Sequence, residues 1–220
     1  GLDGPEAVVV SPAGAHVYVA AHNDDAVAVF SRDPASGLLE LLEVEVDGVN
    51  DLSDPGATVN GLDGAADLAL SPDGRSLYAA GSSDSSVAVF QRDHDPASPT
   101  YGRLTFSEVE IDGVDDPSDL GGQVDGLHLA VAVAVSPDGE SLYVAGPGDN
   151  AVAVFDRDAD PSSGALGRLS FVQVQKDGVS GVDGLAGAAA LALSSDGAHL
   201  YVAGQSDNGL AAFGRAVDGS

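Results

Sequence analysis

The stretch SPDGESLYVAGPGDNAVAVF, residues 136–155, decides the fold. It reads turn, apolar strand, turn, apolar strand. In the first turn proline fixes φ and glycine accepts a positive φ, as a tight hairpin needs. The same turn recurs as Ser11-Pro-Ala-Gly14, Ser71-Pro-Asp-Gly74 and Ser194-Ser-Asp-Gly197. The four copies lie roughly 60 residues apart, the signature of a repeat architecture. A strand follows each turn: Val17-Tyr-Val-Ala20, Leu77-Tyr-Ala-Ala80, Leu142-Tyr-Val-Ala145 and Leu200-Tyr-Val-Ala203. Asp24-Asp25, Asp84-Ser85, Asp149-Asn150 and Asp207-Asn208 close a second hairpin. That hairpin leads into Val27-Ala-Val-Phe30, Val87-Ala-Val-Phe90, Val152-Ala-Val-Phe155 and Leu210-Ala-Ala-Phe213. A fourth element follows in three copies, at residues 38–46, 104–111 and 169–175.

Ahead of each turn stands a short apolar run: Ala7-Val-Val-Val10, Leu68-Ala-Leu70, Ala132-Val-Ala-Val135 and Leu191-Ala-Leu193. Apolar residues on both faces suit a strand buried on both sides, so these runs are expected innermost, where units converge. The fourth element alternates. Glu43, Glu45, Glu108 and Glu110 project to one side; Leu42, Val44, Val46, Val109 and Ile111 project to the other, as in a half-exposed outer strand. Gly and Pro are too dense for helix. The predicted fold class is all-β, a β-propeller of four four-stranded antiparallel blades. The units are approximately residues 1–60, 61–125, 126–183 and 184–220, the last lacking its outer strand.

Net charge is −27, with 35 acids against 8 bases, and Lys176 is the only lysine. Nucleic acid needs clustered cations to neutralise phosphate, so that partner is excluded. Anionic membrane surfaces are excluded likewise, and no apolar run is long enough for direct membrane insertion. The acid excess resembles salt-adapted proteins, whose self-repulsion is screened at high ionic strength. Without cysteine there are no disulfides or thiolate metal sites. The first residue is Gly1, so a processed chain or a piece of a longer one is expected.

The loops that cross between units carry the most distinctive chemistry. Asp47-Gly-Val-Asn50-Asp51-Leu-Ser-Asp54 matches Asp112-Gly-Val-Asp115-Asp116-Pro-Ser-Asp119 in spacing. Hard cations take six to eight oxygens, which such loops supply, so Asp47, Asn50, Asp51, Asp54, Asp112, Asp115, Asp116 and Asp119 are the candidate Ca²⁺ ligands. The alternative is a solvated acidic loop whose aspartates cap turns. No cofactor is otherwise required. Among the histidines, His16 and His199 read as exposed strand-edge residues, because Ser76 and Ser141 hold the same place. His22 and His94 fall in turns. His128 lies in the crossing from the second unit to the third and is the candidate catalytic residue, with no partner evident beside it. Arg32, Arg92 and Arg157 follow the third strand and are expected to pair with Asp33, Asp93 and Asp158 or with the next unit.

The SPDG-x-x-LYVAG-x-x-x-D-x-VAVF-x-RDP pattern resembles the lactonase-type, seven-bladed propeller family, with its 6-phosphogluconolactonase-like and YncE-like members. The resemblance spans nearly the whole chain and implies hydrolysis of a sugar lactone in the central channel. Two departures stand against that activity. The chain carries four units. The Pro-His pair that enzymes of the family often place before the innermost strand is replaced by Pro5-Glu6, Ala65-Ala66, Ala130-Val131 and Ala188-Ala189. The expected function is therefore a non-enzymatic binding or structural propeller acting through protein contacts, exported or surface-associated (extracellular, cell-surface or periplasmic). A lactonase-type hydrolase and a calcium-stabilised adhesion or matrix module are the alternatives. A protein partner or additional chain is expected at the incomplete fourth blade, whose edge would otherwise stay unpaired.

Overall fold

The computed structural model describes residues 1–50, 58–115 and 122–215, and among these it contains no helix. Unit one is β1 (Pro5–Val10), β2 (His16–Ala21), β3 (Ala26–Arg32) and β4 (Leu39–Val46). Unit two is β5 (Ala65–Leu70), β6 (Ser76–Gly81), β7 (Ser86–Arg92) and β8 (Leu104–Ile111). Unit three is β9 (Ala132–Val135), β10 (Ser141–Gly146), β11 (Ala151–Arg157) and β12 (Leu169–Lys176). Unit four is β13 (Ala188–Leu193), β14 (His199–Gly204) and β15 (Gly209–Gly214). Each unit is one antiparallel meander in sequence order, and the fourth has three strands among the described residues. The inner strands neighbour one another in turn, β1 beside β5, β5 beside β9, β9 beside β13. These are the blades of a β-propeller.

Two bulges recur. One lies between Pro5 and Ala7, Ala65 and Asp67, and Ala188 and Ala190, so three inner strands begin earlier than the apolar runs alone suggest. The other sets two residues of the outer strand against one of the third, at Val29/Phe30, Val89/Phe90 and Val154/Phe155. A bulge strengthens local twist, as a blade needs.

The core is not one mass but three seams. Tyr18, Ala20, Val27 and Val29 of unit one pack on Leu68, Leu77, Ala79 and Phe90 of unit two. Tyr78, Val87 and Val89 pack on Val133, Leu142 and Phe155 of unit three. Tyr143, Ala145 and Val152 pack on Leu200, Val202 and Ala211 of unit four. No such cluster joins unit four to unit one among the described residues. Among the described residues the seams join the four blades in series. The outward flank of unit one leaves Val8 and Leu41 exposed, and that of unit four leaves Tyr201 and Leu210 exposed.

Three expectations are corrected at the seams. The glutamate side of the outer strand is the buried side: Glu43, Glu45 and Glu110 are buried. Glu43 accepts the Leu104 N–H at 2.6 Å and pairs with Arg103 at 2.9 Å. Glu108 accepts the Leu169 N–H at 2.7 Å and pairs with Arg168 at 3.4 Å. Each thus fastens the first residue of the next outer strand, a backbone donor with no ladder partner on that side. The arginines reach backward, not to their neighbouring aspartates. Arg157 is buried; its Nε donates to Tyr78 Oη at 2.6 Å, and its Nη2 donates to Ser76 Oγ at 3.2 Å. Arg92 likewise donates from Nε to Tyr18 Oη and meets His16 Nδ1 at 3.0 Å. Arg215 pairs with Asp138 at 2.6 Å. Burial alone would raise the Asp138 carboxyl, but Arg215 and the Ser136 hydroxyl outweigh it and hold it at about 2. Finally, His16 is buried, not exposed at a strand edge, because its ring fills the space over Gly102 and meets Tyr101 edge-on at 4.5 Å. His199, on the fourth blade, is exposed as expected.

Tyrosine completes the first two seams. Tyr18 and Tyr78 donate to the carbonyls of Gly102 and Gly167 at 2.7 and 2.8 Å. Burial pushes both hydroxyls up to about 12, so they remain protonated donors at neutral pH.

Candidate functional site

The crossing loops and the second hairpins lie at the same end of the blades, where each outer strand hands over to the next inner strand. Their aspartates act first as backbone acceptors. Asp47, Asp112 and Asp177 accept the N–H of Leu62, Leu127 and Leu185 at 3.1, 3.0 and 3.1 Å. Asp24, Asp84, Asp149 and Asp207 accept the N–H of Asp3, Asp63, His128 and Ala186 at 2.8, 3.2, 3.2 and 2.8 Å. Asp25 and Asn150 accept from Gly64 and Gly187 of the following blade at 2.9 and 2.8 Å. The loops are short of ladder bonds, and these side chains satisfy the amides that remain. Burial, together with Asp47, Asp63 and Asp25 nearby, raises the Asp84 carboxyl against the pull of its Asp63 N–H bond.

The candidate calcium ligands are only partly brought together. Asp47 and Asp112 hold the loops as just described. Asn50 and Asp115 form isolated bridges with Thr58 and Gln123. Asp51, Asp54, Asp116 and Asp119 lie outside the described residues. Asp112 does join a carboxylate trio, with Asp125 and Asp149, whose oxygens lie within 4.8 Å of one another. Lys176 Nζ already serves that trio, at 2.7 Å from Asp125 and 3.9 Å from Asp149. The Asp125 bond holds the ammonium above the usual lysine range. Asp177, Asp183 and Asp207 form a second trio with no lysine beside it. Sequence reasoning did not join Asp149 and Asp207 to these trios, because they stand on hairpins that only the meander brings beside the crossings.

The entry to unit three departs from the entries to the other three units. Gly1-Leu-Asp-Gly4, Gly61-Leu-Asp-Gly64 and Gly184-Leu-Ala-Gly187 have their counterpart in Gly126-Leu-His-Leu129. The last position takes positive φ in every copy: 63°, 66° and 64° at the glycines and 58° at Leu129. Leucine at such a φ is strained where glycine is not, and strain of this kind gathers at functional sites. His128, exposed, lies over Gly148, where a Cβ would strike its ring. Its Nδ1 stands 3.3 Å from Ser85 Oγ, which also accepts the Leu129 N–H at 3.2 Å. The histidine thus has the partner that sequence alone did not reveal.

One inner-strand acid also escaped notice. Asp67 sits where the other units place Ala7, Ala132 and Ala190. It accepts the Val133 N–H of the next inner strand at 2.9 Å and the Leu68 N–H at 2.9 Å. Burial raises its carboxyl above the ordinary range despite both bonds. A lone Asp in an apolar run was the available signal. No hydrogen bond joins Asp67 to His128 among the described residues.

The architecture defines a repeat propeller with an acidic crossing face. Residues 132–220 match the family model for "Lactonase, 7-bladed beta-propeller". A protein of Bacteroides uniformis provisionally assigned as a 6-phosphogluconolactonase is 20% identical, with TM-score 0.67 over 97% of this chain and 51% of that one. The periplasmic gluconolactonase PpgL of Pseudomonas aeruginosa is 24% identical, with TM-score 0.67 over 100% of this chain and 55% of that one. A second provisional 6-phosphogluconolactonase, from Bacteroides fragilis, is 26% identical, with TM-score 0.55 over 79% of this chain and 39% of that one. The chain spans about half the length of the solved propellers it matches. No curated protein sequence matches it.

Proposed function

We propose that the chain takes part in the hydrolysis of a neutral sugar lactone, with His128 as the base. The match of its repeat to the lactonase family carries this reading. It gives the lactone alternative more support than the non-enzymatic scaffold expected from the missing Pro-His pair. His128 supports it independently. If Nδ1–H donates to Ser85 Oγ, the Nε2 lone pair is free to take a proton from water. The hydroxide adds to the lactone carbonyl, the ring C–O bond breaks, and the proton passes to the departing alkoxide, leaving a hydroxy acid. Asp84, Asp112, Asp125 and Asp149 surround the same end of the blades and repel an anionic substrate, which favours a neutral lactone over a phosphorylated one.

The test follows hydrolysis of glucono-δ-lactone and 6-phosphogluconolactone side by side. The neutral lactone turns over at least about tenfold faster, and His128→Ala lowers its kcat/KM about 100-fold. A rate no higher than buffer alone, or one untouched by His128→Ala, contradicts the proposal.

A further inference from the structure

We propose that Ser85 and Gly148 are positioning residues that build a seat for His128, and that the entry to unit three departs from the repeat in order to make it. The other entries set the ordinary pattern. Each ends in a glycine, Gly4, Gly64 or Gly187, which faces the second hairpin of its own unit. A Cβ on that glycine would strike Asn23 Nδ2 at 2.8 Å, Ser83 Oγ at 2.6 Å or Ser206 Oγ at 2.6 Å. In unit three the glycine has changed sides. Leu129 holds the entry position, and Gly148 holds the hairpin position of Asn23, Ser83 and Ser206. The His128 ring fills the space this exchange opens, for a Cβ at position 148 would overlap it.

The preceding hairpin has changed as well. Asp25 and Asn150 take left-handed φ of 49° and 53°, which Asp and Asn tolerate. Each gives its Oδ1 to the N–H of the next unit's entry, at 2.9 Å from Gly64 and 2.8 Å from Gly187. Ser85 takes their place at φ 55°, a conformation less natural to serine. Its hydroxyl accepts the Leu129 N–H at 3.2 Å and stands 3.3 Å from His128 Nδ1. A hydroxyl oxygen has two lone pairs, so one takes the amide and the other the Nδ1–H, which leaves Nε2 bare. Asp149 Oδ2 accepts the His128 backbone N–H at 3.2 Å and fixes the main chain beneath the ring. Four departures from the repeat, at Ser85, His128, Leu129 and Gly148, therefore converge on one imidazole, with left-handed strain accepted at two of them. The inference rests on the reading of His128 as the base and names what holds that base in its reactive tautomer.

The experiment reads the His128 tautomer by long-range proton–nitrogen NMR on the free 220-residue chain, at about pH 8 where an ordinary imidazole is neutral. Nδ1 carries the proton in the native chain. Ser85→Ala moves at least about half of that population to Nε2–H, and Ser85→Asp, which installs the residue of unit one, restores Nδ1–H. Gly148→Ser installs the residue of units two and four and displaces the ring. Its kcat on glucono-δ-lactone falls at least about tenfold, while its urea midpoint does not fall, because the same hairpin carries serine in those units. A native Nε2–H tautomer, a tautomer unmoved by Ser85→Ala, or full turnover by the Gly148→Ser chain would overturn the proposal. The tautomer is read without substrate, so a chain that holds Nδ1–H through Ser85 and hydrolyses no lactone would sink only the reading of His128 as a base.

Discussion

Tyr78 and Tyr201 hold the same place in their units and meet opposite surroundings. Tyr78 is fully buried, accepts from Arg157 and donates to Gly167, both of the next blade. Tyr201 is 37% exposed and stacks on His199 at 6.3 Å. The same contrast runs along the whole strand pair: β6 is buried throughout, whereas β14 is exposed at alternate positions. Near-identical sequence therefore yields a different energetic unit according to its neighbours. A blade of this repeat owes its stability to the seams it shares, as nearest-neighbour repeat arrays do.

The largest expected effect separates buried from flanking phenylalanine. Phe90 is fully buried and meets Phe106 edge-on at 5.7 Å. Phe90→Ala should cost about 3–5 kcal/mol in urea unfolding, the usual range for a core aromatic. Phe213→Ala, at the half-buried equivalent position, should cost clearly less. Equal losses would break the comparison.

A smaller effect sharpens it through pH. Burial first, and then the Arg92 charge, depress the His16 imidazole below its ordinary value. The unfolded chain then takes up a proton near pH 6.5 that the folded chain refuses, so stability falls as pH drops through that value. His16→Ser, which installs the residue of units two and three, should remove that increment of the pH dependence. The wild-type minus variant difference in unfolding free energy between pH 8 and pH 5.5 reads it directly; a flat difference would mean that His16 is not buried against Arg92.

Much of this was legible in the sequence, and the limits have physical causes. The four turns and the Tyr-bearing second strands named the blade, because turn chemistry and strand alternation are local. Outer-strand bounds came within a residue of those observed, Leu39–Val46 against residues 38–46. Inner strands began earlier than expected, because a bulge lets Glu6, Ala66 and Ala189 join without keeping the apolar pattern. The burial of Glu43, Arg92 and His16 was not legible, since each is held by a partner 60 to 76 residues away. The crossing aspartates allowed a cation site or turn capping in the sequence, and several of them hold backbone amides in the structure. His128 was legible as an oddity, and its Ser85 partner only as geometry.

Hydrogen exchange on the 220-residue chain tests most directly whether seams and not strands set stability. The account predicts that amides of β6, β7, β10 and β11 exchange at least about tenfold more slowly than those of β14 and β15. Equal protection of β7 and β15 would contradict it.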